Sequence, residues 1–230
     1  MTLRKQASTK KNPSLPGRKL RPKKEPHFSS TIPRKTVYRL SLYFRCLSLM
    51  VANRESIVSS SALASVVGIQ PAQLRRDLAH CGPLGKRGTG YEVVLLRNRL
   101  EEILGRTSLQ PVILVGAGNL GQALLSYRGF AREGFEIVAA FDIRPKKASA
   151  GKISVQPMNR MKGFIRKNEL RMAILSVPGH SAQQVADDLV EAGIHAILNF
   201  SSTVLHLPET VAVNNVNLAI ELENLSYFAR

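Results

Sequence analysis

An apolar run that ends abruptly in spaced glycines constrains this chain more than any other feature. Pro111-Val112-Ile113-Leu114-Val115 leads without a break into Gly116-Ala117-Gly118-Asn119-Leu120-Gly121-Gln122-Ala123-Leu124-Leu125. An uninterrupted apolar run is what a parallel strand buried on both faces requires. The glycine spacing suits a tight turn into a helix. Gly116 permits the turn, Gly118 lets the backbone approach a pyrophosphate, and Gly121 lets the helix pack closely on the strand. The first turn of that helix then presents N–H groups and the positive end of its dipole to a phosphate. A GxGxxG triplet alone is weak evidence; its weight here comes from the strand before it and the helix after it.

The residues that follow repeat the pattern. Residues 137–141 are apolar and end at Asp142, 21 residues beyond Gly121. An acid at that place accepts hydrogen bonds from adenosine ribose hydroxyls and repels a 2′-phosphate, favouring NAD over NADP. Arg144, Lys146 and Lys147 act against that preference, and a loop acid on the surface is the plainer alternative for Asp142. Apolar runs at 172–177 and 196–200 alternate with a helical pattern at 182–192, and residues 211–213 are a candidate fifth strand. This alternation describes a doubly wound parallel sheet. Val177 and Pro178 then fall at its carboxyl edge, where ligands bind, as candidate neighbours of a nicotinamide. His180 beside them is a conceivable acid/base, but no acid stands near it in sequence, so a surface histidine is the preferred assignment.

The charge places a second module ahead of this one. The chain carries +17 in 230 residues. Residues 1–30 hold nine Lys/Arg and one acid, residues 31–107 twelve and five, and residues 108–230 twelve and ten. The excess therefore belongs to the first half, where concentrated positive charge steers a protein toward polyanions. Residues 1–30, with four prolines among the cations, are too poor in apolar groups to order and read as a disordered basic arm. Such an arm is either a solvated tail or a non-specific tracker of DNA phosphates.

Within residues 31–107, Val37, Leu40, Tyr43, Phe44, Leu47 and Met50 recur at helical spacing. Ser59, Ser60 and Ser61 are good N-cap residues before a short apolar helix that breaks at Gly68, and Pro71 suits the first turn of the next helix. In that second helix Leu74 and Leu78 face inward, leaving Gln73, Arg75 and Arg76 near its N-terminus for base edges, as in a helix-turn-helix reader. Gly85-Lys86-Arg87-Gly88-Thr89-Gly90-Tyr91 reads as a hairpin with cations at its tip, running into a strand that includes Val93 and Val94. A winged helix is the expectation, with Lys86 and Arg87 at phosphates or the minor groove. Residues 97–104 look like a helical hinge, with the module boundary near Thr107.

Other classes are disfavoured. Residues 107–127, the longest charge-free stretch, are interrupted by three glycines, so no membrane span is expected. The basic N-terminus lacks an apolar stretch after its charges, so a secretory signal is not read there. Cys46 and Cys81 have no metal-type spacing, and a cytoplasmic thiol protein is expected. The chain closes on Leu218, Leu222, Leu225 and Phe228, an apolar stripe that docks either on its own domain or on a partner subunit.

The ordered set of segments resembles the Rex family of redox-sensing transcriptional repressors. The matching residues are Ile32-Pro33, Thr36-Val37-Tyr38-Arg39-Leu40, Gln73-Leu74-Arg75-Arg76-Asp77-Leu78, and Leu84-Gly85-Lys86-Arg87-Gly88-Thr89-Gly90-Tyr91. The second half adds Gly116-Ala117-Gly118-Asn119-Leu120-Gly121, Phe141-Asp142, Val177-Pro178, Ala182-Gln183, Ala192-Gly193-Ile194 and Ile197-Leu198-Asn199-Phe200. The resemblance implies a homodimer with an exchanged C-terminal helix that holds operator DNA when NADH is scarce and releases it when NADH binds. The expected fold is an N-terminal winged helix-turn-helix (31–107) and a C-terminal Rossmann domain (108–230) with a swapped helix.

Candidate DNA contacts are Arg39, Ser61, Gln73, Arg75, Arg76, Lys86, Arg87 and Gly88. Candidate cofactor contacts for NADH/NAD+ are Gly116, Ala117, Gly118, Asn119, Leu120, Gly121, Asp142, Val177 and Pro178. No catalytic or metal-ligating residues are expected. Rival functions are an NAD-dependent dehydrogenase with a basic accessory domain and a CoA-type metabolite sensor. The chain departs from the family at Ser41 (often Pro), Gln70 (often Ser or Thr) and Asn217 (usually Asp). In the family that acid helps couple nicotinamide state to domain position, so the resemblance implies that Asn217 bears on the strength of redox sensing and not on cofactor binding.

Overall fold

The structure is a computed structural model that describes residues 32–86, 88–145 and 153–229. The expected basic arm at 1–30, Arg87 at the wing tip, and Lys146 and Lys147 lie outside these residues.

Among the described residues, one hydrophobic core forms in the first half of the chain and two, one on each face of a sheet, in the second. The first gathers α1 (Arg34–Ala52), β1 (Ile57–Val58), α2 (Ser60–Val67), α3 (Pro71–Leu78), β2 (Gly85–Lys86), β3 (Gly90–Glu92) and α4 (Val93–Ile103). The helical spacing of the first apolar residues is realised: Leu40, Tyr43, Phe44, Leu47 and Met50 are buried on one face of α1, whereas Val37 turns outward. Ser59 caps α2, its hydroxyl accepting from the Ala62 N–H at 3.0 Å. The strands form a small antiparallel sheet, order β1-β3-β2.

Two expectations are corrected here. The strand after the wing stops at Glu92, and Val93 opens α4. Residues 97–104 are therefore no hinge: Leu96 and Leu100, four apart, are fully buried against α1. A helix there closes the core, which a strand of the same apolar residues would leave open.

The second unit is one parallel sheet, order β6-β5-β4-β7-β8-β9. Its strands are β4 (Gln110–Val115), β5 (Phe135–Asp142), β6 (Val155–Pro157), β7 (Met172–Leu175), β8 (Ala196–Asn199) and β9 (Ala212–Asn215). Numbered from β4, this is 3-2-1-4-5-6, the doubly wound order whose switch point lies between β4 and β7. The edge strand β6 is an addition to those expected. Along β4, Ile113 and Val115 join one core while Val112 and Leu114 join the other, as in a strand covered on both faces. Among the described residues, four α-helices connect these strands: α5 (Asn119–Ser126), α6 (Gly129–Arg132), α7 (Met161–Lys167) and α8 (Gly179–Ala192). Helix α8 buries Ala182, Ala186, Leu189 and Ala192 at helical spacing.

Helix α9 (Leu218–Phe228) buries none of its residues. Leu218, Ile220, Leu222, Leu225, Tyr227 and Phe228 all face solvent, so the helix does not dock on its own domain. Among the described residues no helix is long and apolar enough to cross a membrane.

Candidate nucleotide and nucleic-acid sites

At the switch point each glycine of the β4–α5 turn has a distinct surrounding. Gly116 has φ +95°, and a Cβ on it would overlap the Ser176 carbonyl of the neighbouring β7 turn. A Cβ on Gly121 would overlap the Gly116 carbonyl. At Gly118, by contrast, an added Cβ meets nothing within 4 Å. The first and third glycines are thus required by the protein itself, while the second faces open space. Gly118 occupies the N-cap position of α5 and no side chain caps that helix, so its first-turn N–H groups lack an internal side-chain acceptor. Asn119 and Leu120 form that first turn.

Asp142 stands at the end of β5, beside the turn. Its Oδ2 accepts from the Ala117 N–H at 2.6 Å and its Oδ1 from the Arg144 N–H at 2.8 Å. This holds the carboxylate against the glycine turn. Across the switch point, Val177 and Pro178 form the turn into α8. Ser176, just before them, donates its hydroxyl to the Gly116 carbonyl at 2.7 Å. The structure thus brings the glycine turn, Asp142 and the 177–178 turn to one carboxyl edge, and these residues fit a dinucleotide. Ser176 was not singled out from sequence, although it sits directly after an apolar run at the same sheet edge.

In the first unit, a cavity of about 600 Å³ lies between α3 and the wing, with Ser60, Arg75, Lys86, Gly88, Thr89 and Tyr91 among its lining. Arg75, Arg76, Lys86, Ser61 and Gly88 are exposed. Arg75 donates to the Ser60 hydroxyl at 3.1 Å, and Arg76 to the Gln73 side-chain carbonyl at 3.0 Å.

Two candidate DNA contacts point elsewhere than expected. Arg39 donates from Nε and Nη2 to Asp77 at 2.6 and 2.7 Å, and Gln73 donates to the same carboxylate at 2.9 Å. Tyr43 adds its hydroxyl at 2.6 Å and Thr36 its own at 3.3 Å. Asp77 is 1% exposed. Burial alone would raise its pKa, but hydrogen bonds from Arg39, Tyr43 and Gln73 outweigh it and hold the carboxyl at about 2. The same contact raises Arg39, and burial followed by the Asp77 hydrogen bond raises the Tyr43 phenol. Arg39 is therefore an anchor of α3 onto α1, and Gln73 links that anchor to Arg76. Sequence reasoning missed Asp77, yet Leu74, Asp77 and Leu78 share the inward face of α3, and an acid there needs a buried partner.

The two thiols take no part in either site. Burial pushes Cys81 up to about 11 and raises Cys46, so both stay protonated at neutral pH.

Two family models match separate stretches of the chain. Residues 31–79 match the family described as "Putative DNA-binding protein N-terminus", and residues 107–203 the family described as "CoA binding domain". The redox-sensing transcriptional repressor Rex of Pelotomaculum thermopropionicum is 44% identical over 200 residues, covering 85% of this chain and 93% of that protein. The Rex protein of Streptomyces coelicolor is 42% identical over 202 residues, covering 86% of this chain and 78% of that one. Among solved structures, the Rex-family repressor RSP in complex with β-NAD+ and operator DNA superposes with a TM-score of 0.80 at 36% identity, over 86% of this chain and 92% of that one. RSP with β-NADH gives 0.76 at 35%, over 87% and 95%.

Proposed function

We infer the function from the premise that the chain belongs to the Rex family of redox-sensing transcriptional repressors. It is a DNA-binding repressor that responds to NADH and NAD+, releasing its operator when NADH binds. It acts as a regulator in the cytoplasm and turns over no substrate. The observation that carries this reading is one chain bearing both an anchored reader helix with exposed arginines and a glycine turn whose middle glycine faces open space.

In the dinucleotide domain, taken as 108–230, the first-turn N–H groups of α5 receive the pyrophosphate. Asp142 accepts from the adenosine ribose hydroxyls, and Val177 and Pro178 bound the nicotinamide end. The bound dinucleotide supplies a nicotinamide ring whose oxidation state is the signal. A CoA-type ligand suits the site less well, because its ribose carries a phosphate that would meet the Asp142 carboxylate. In the winged-helix domain, taken as 31–107, Arg75 and Arg76 face base edges while Lys86, Ser61 and Gly88 approach the phosphate backbone. Arg39 and Gln73 act through Asp77 by fixing the angle of α3.

The chain works as a homodimer. Helix α9 exposes six large apolar residues, and each large side chain of this type stabilises by roughly 1.5–3 kcal/mol when buried. A cavity of about 300 Å³ on the sheet, with Phe130, Phe135, Ile137, Met172 and Leu198 in its lining, offers an apolar surface of the matching kind. Exchange of α9 between subunits covers both.

The test is fluorescence anisotropy on an operator duplex selected from random sequence, with and without dinucleotide. NADH that favours the released state by about 3 kcal/mol lowers DNA affinity more than 100-fold, and NAD+ lowers it less. DNA binding that ignores saturating NADH refutes the reading. Thermal stabilisation by CoA and not by NADH would replace it with the CoA-type sensor.

A further inference from the structure

The carboxyl edge of the sheet holds a polar chain outside the nucleotide cradle just described. Asn199, the last residue of β8, is fully buried, and its side-chain amide is completely satisfied. Oδ1 accepts from the N–H of Ser201 at 2.9 Å and from its hydroxyl at 2.7 Å. Nδ2 donates to the Thr203 carbonyl at 2.9 Å and to Oδ1 of Asn215 at 2.8 Å. Two donors and two lone pairs are all an asparagine amide offers. The backbone carbonyl of Asn199 also accepts from the Val216 N–H at 2.8 Å.

The chain continues at both ends. Thr203 donates its hydroxyl to the Gly179 carbonyl at 2.9 Å, at the start of α8. The fit there is close: a Cβ on Gly179 would come within 2.8 Å of the Thr203 hydroxyl and 2.9 Å of the Ser202 hydroxyl. At the other end, Asn215 and Val216 run into Asn217, whose side chain caps α9 by accepting from the Ala219 N–H at 3.0 Å.

We propose that Asn199 is a positioning residue that couples the dinucleotide-facing turn at 177–179, through Thr203, to the root of α9, through Asn215 and Val216. The inference rests on the functional reading above and deepens it by naming the route from cofactor turn to subunit helix. Asn199 and Ser201 form the buried centre of this chain, and an asparagine amide buried with both donors and both lone pairs used has no low-cost alternative arrangement. A displacement of Gly179 is therefore taken up at the end of β9, where α9 begins.

Asn199→Ala would strip the buried centre and endanger the fold, so its outer partners are the ones to change. Thr203→Val is isosteric and removes one hydroxyl; Asn215→Ala alters an exposed residue. The readout is backbone amide exchange of residues 218–228 in the full-length protein, with and without saturating NADH, beside NADH affinity from fluorescence titration. In the wild type NADH is expected to change exchange in α9 by about fivefold or more. Both variants should lose most of that response, with Asn215→Ala keeping wild-type NADH affinity. A full α9 response in both variants overturns the proposal, even if their melting temperatures fall, because that outcome marks a merely structural role. NADH that binds the wild type and leaves α9 exchange unchanged also overturns it. Failure of NADH to bind the wild type at all is a separate result that removes the functional reading and this inference with it.

Discussion

Replacing Asp77 tests how the reader helix is held, and its magnitude can be worked from the contacts. The carboxyl sits at about 2, well below the 3.8 of an ordinary aspartate. At about 1.36 kcal/mol per pKa unit this corresponds to roughly 2 kcal/mol of folding stability. Because the folded-state pKa is the lower one, that contribution is present above about pH 4 and is lost as pH falls toward 2. Asp77→Asn should remove about that much at pH 7 and flatten the acid limb. Asp77→Ala should cost about 3 kcal/mol, the lower end of the range for breaking a buried pair. It leaves the Tyr43 hydroxyl without its acceptor, but Arg39 is 21% exposed and recovers some hydration.

Amide exchange in α1 and α3 of the full-length protein gives the local free energy, and urea midpoints at pH 7 and pH 3 give the acid dependence. A double-mutant cycle decides whether the pair acts as one unit. Arg39→Ala and Asp77→Ala should be strongly non-additive, since each alone already destroys the contact. Additivity within about 0.5 kcal/mol would refute the anchoring role, as would operator affinity unaffected by either change.

The remaining predictions address the two sites and the subunit contact. Gly121→Ala should lower the melting temperature sharply, because its Cβ collides with the Gly116 carbonyl, whereas Gly118→Ala should fold normally and lose about tenfold or more in NADH affinity, one large contact's worth; calorimetry and titration reverse this order if the cradle is misassigned. Asp142→Asn should narrow the preference for NADH over NADPH, and an unchanged ratio of their dissociation constants would remove Asp142 from the ribose site. Arg75→Ala should cost about 1–3 kcal/mol and relax sequence preference, while Lys86→Ala should weaken all duplexes alike and reduce the salt slope by about 1; anisotropy across salt and sequence separates the two. Leu222→Glu with Leu225→Glu should convert dimer to monomer in light scattering, and a persistent dimer would place the subunit contact elsewhere.

Features set by short stretches of chain were the readable ones. Gly116, Gly118 and Gly121 act within six residues, and the inward face of α3 is fixed by Leu74 and Leu78 four apart. What stayed hidden depended on distant partners or weak local signals. Val93-Val94-Leu95-Leu96 is as good a strand as a helix by composition, and only the gap beside α1 selects the helix. Strand β6 has three residues and a single neighbour, too short for any period to register. Arg39 and Gln73 look like free surface polar groups until Asp77, 38 residues from Arg39, gathers them. Asn199 sits in an apolar run where its role depends on Thr203 and Asn215.

Magnitudes also indicate how the two units can be coupled yet movable. Glu133, after α6, receives Arg45 of α1 at 3.2 Å and Arg106 of the connecting segment at 3.3 Å. The Arg45 side chain is 59% exposed, and an ion pair of that kind contributes about 0–1 kcal/mol. Arg106 does more, since its guanidinium also lies 4.6 Å from the centre of the Phe44 ring, an arrangement worth about 0.5–2 kcal/mol. Together these contacts are of the same order as the roughly 3 kcal/mol that a 100-fold change in DNA affinity demands. A dinucleotide with that differential affinity is therefore sufficient to shift the winged helix against the sheet. The anchoring of α3 by Asp77, at roughly 2–3 kcal/mol, is of the same order, but it joins α3 to α1 within one core through a carboxylate that is 1% exposed, so the reader helix is held to α1 independently of the contacts at Glu133.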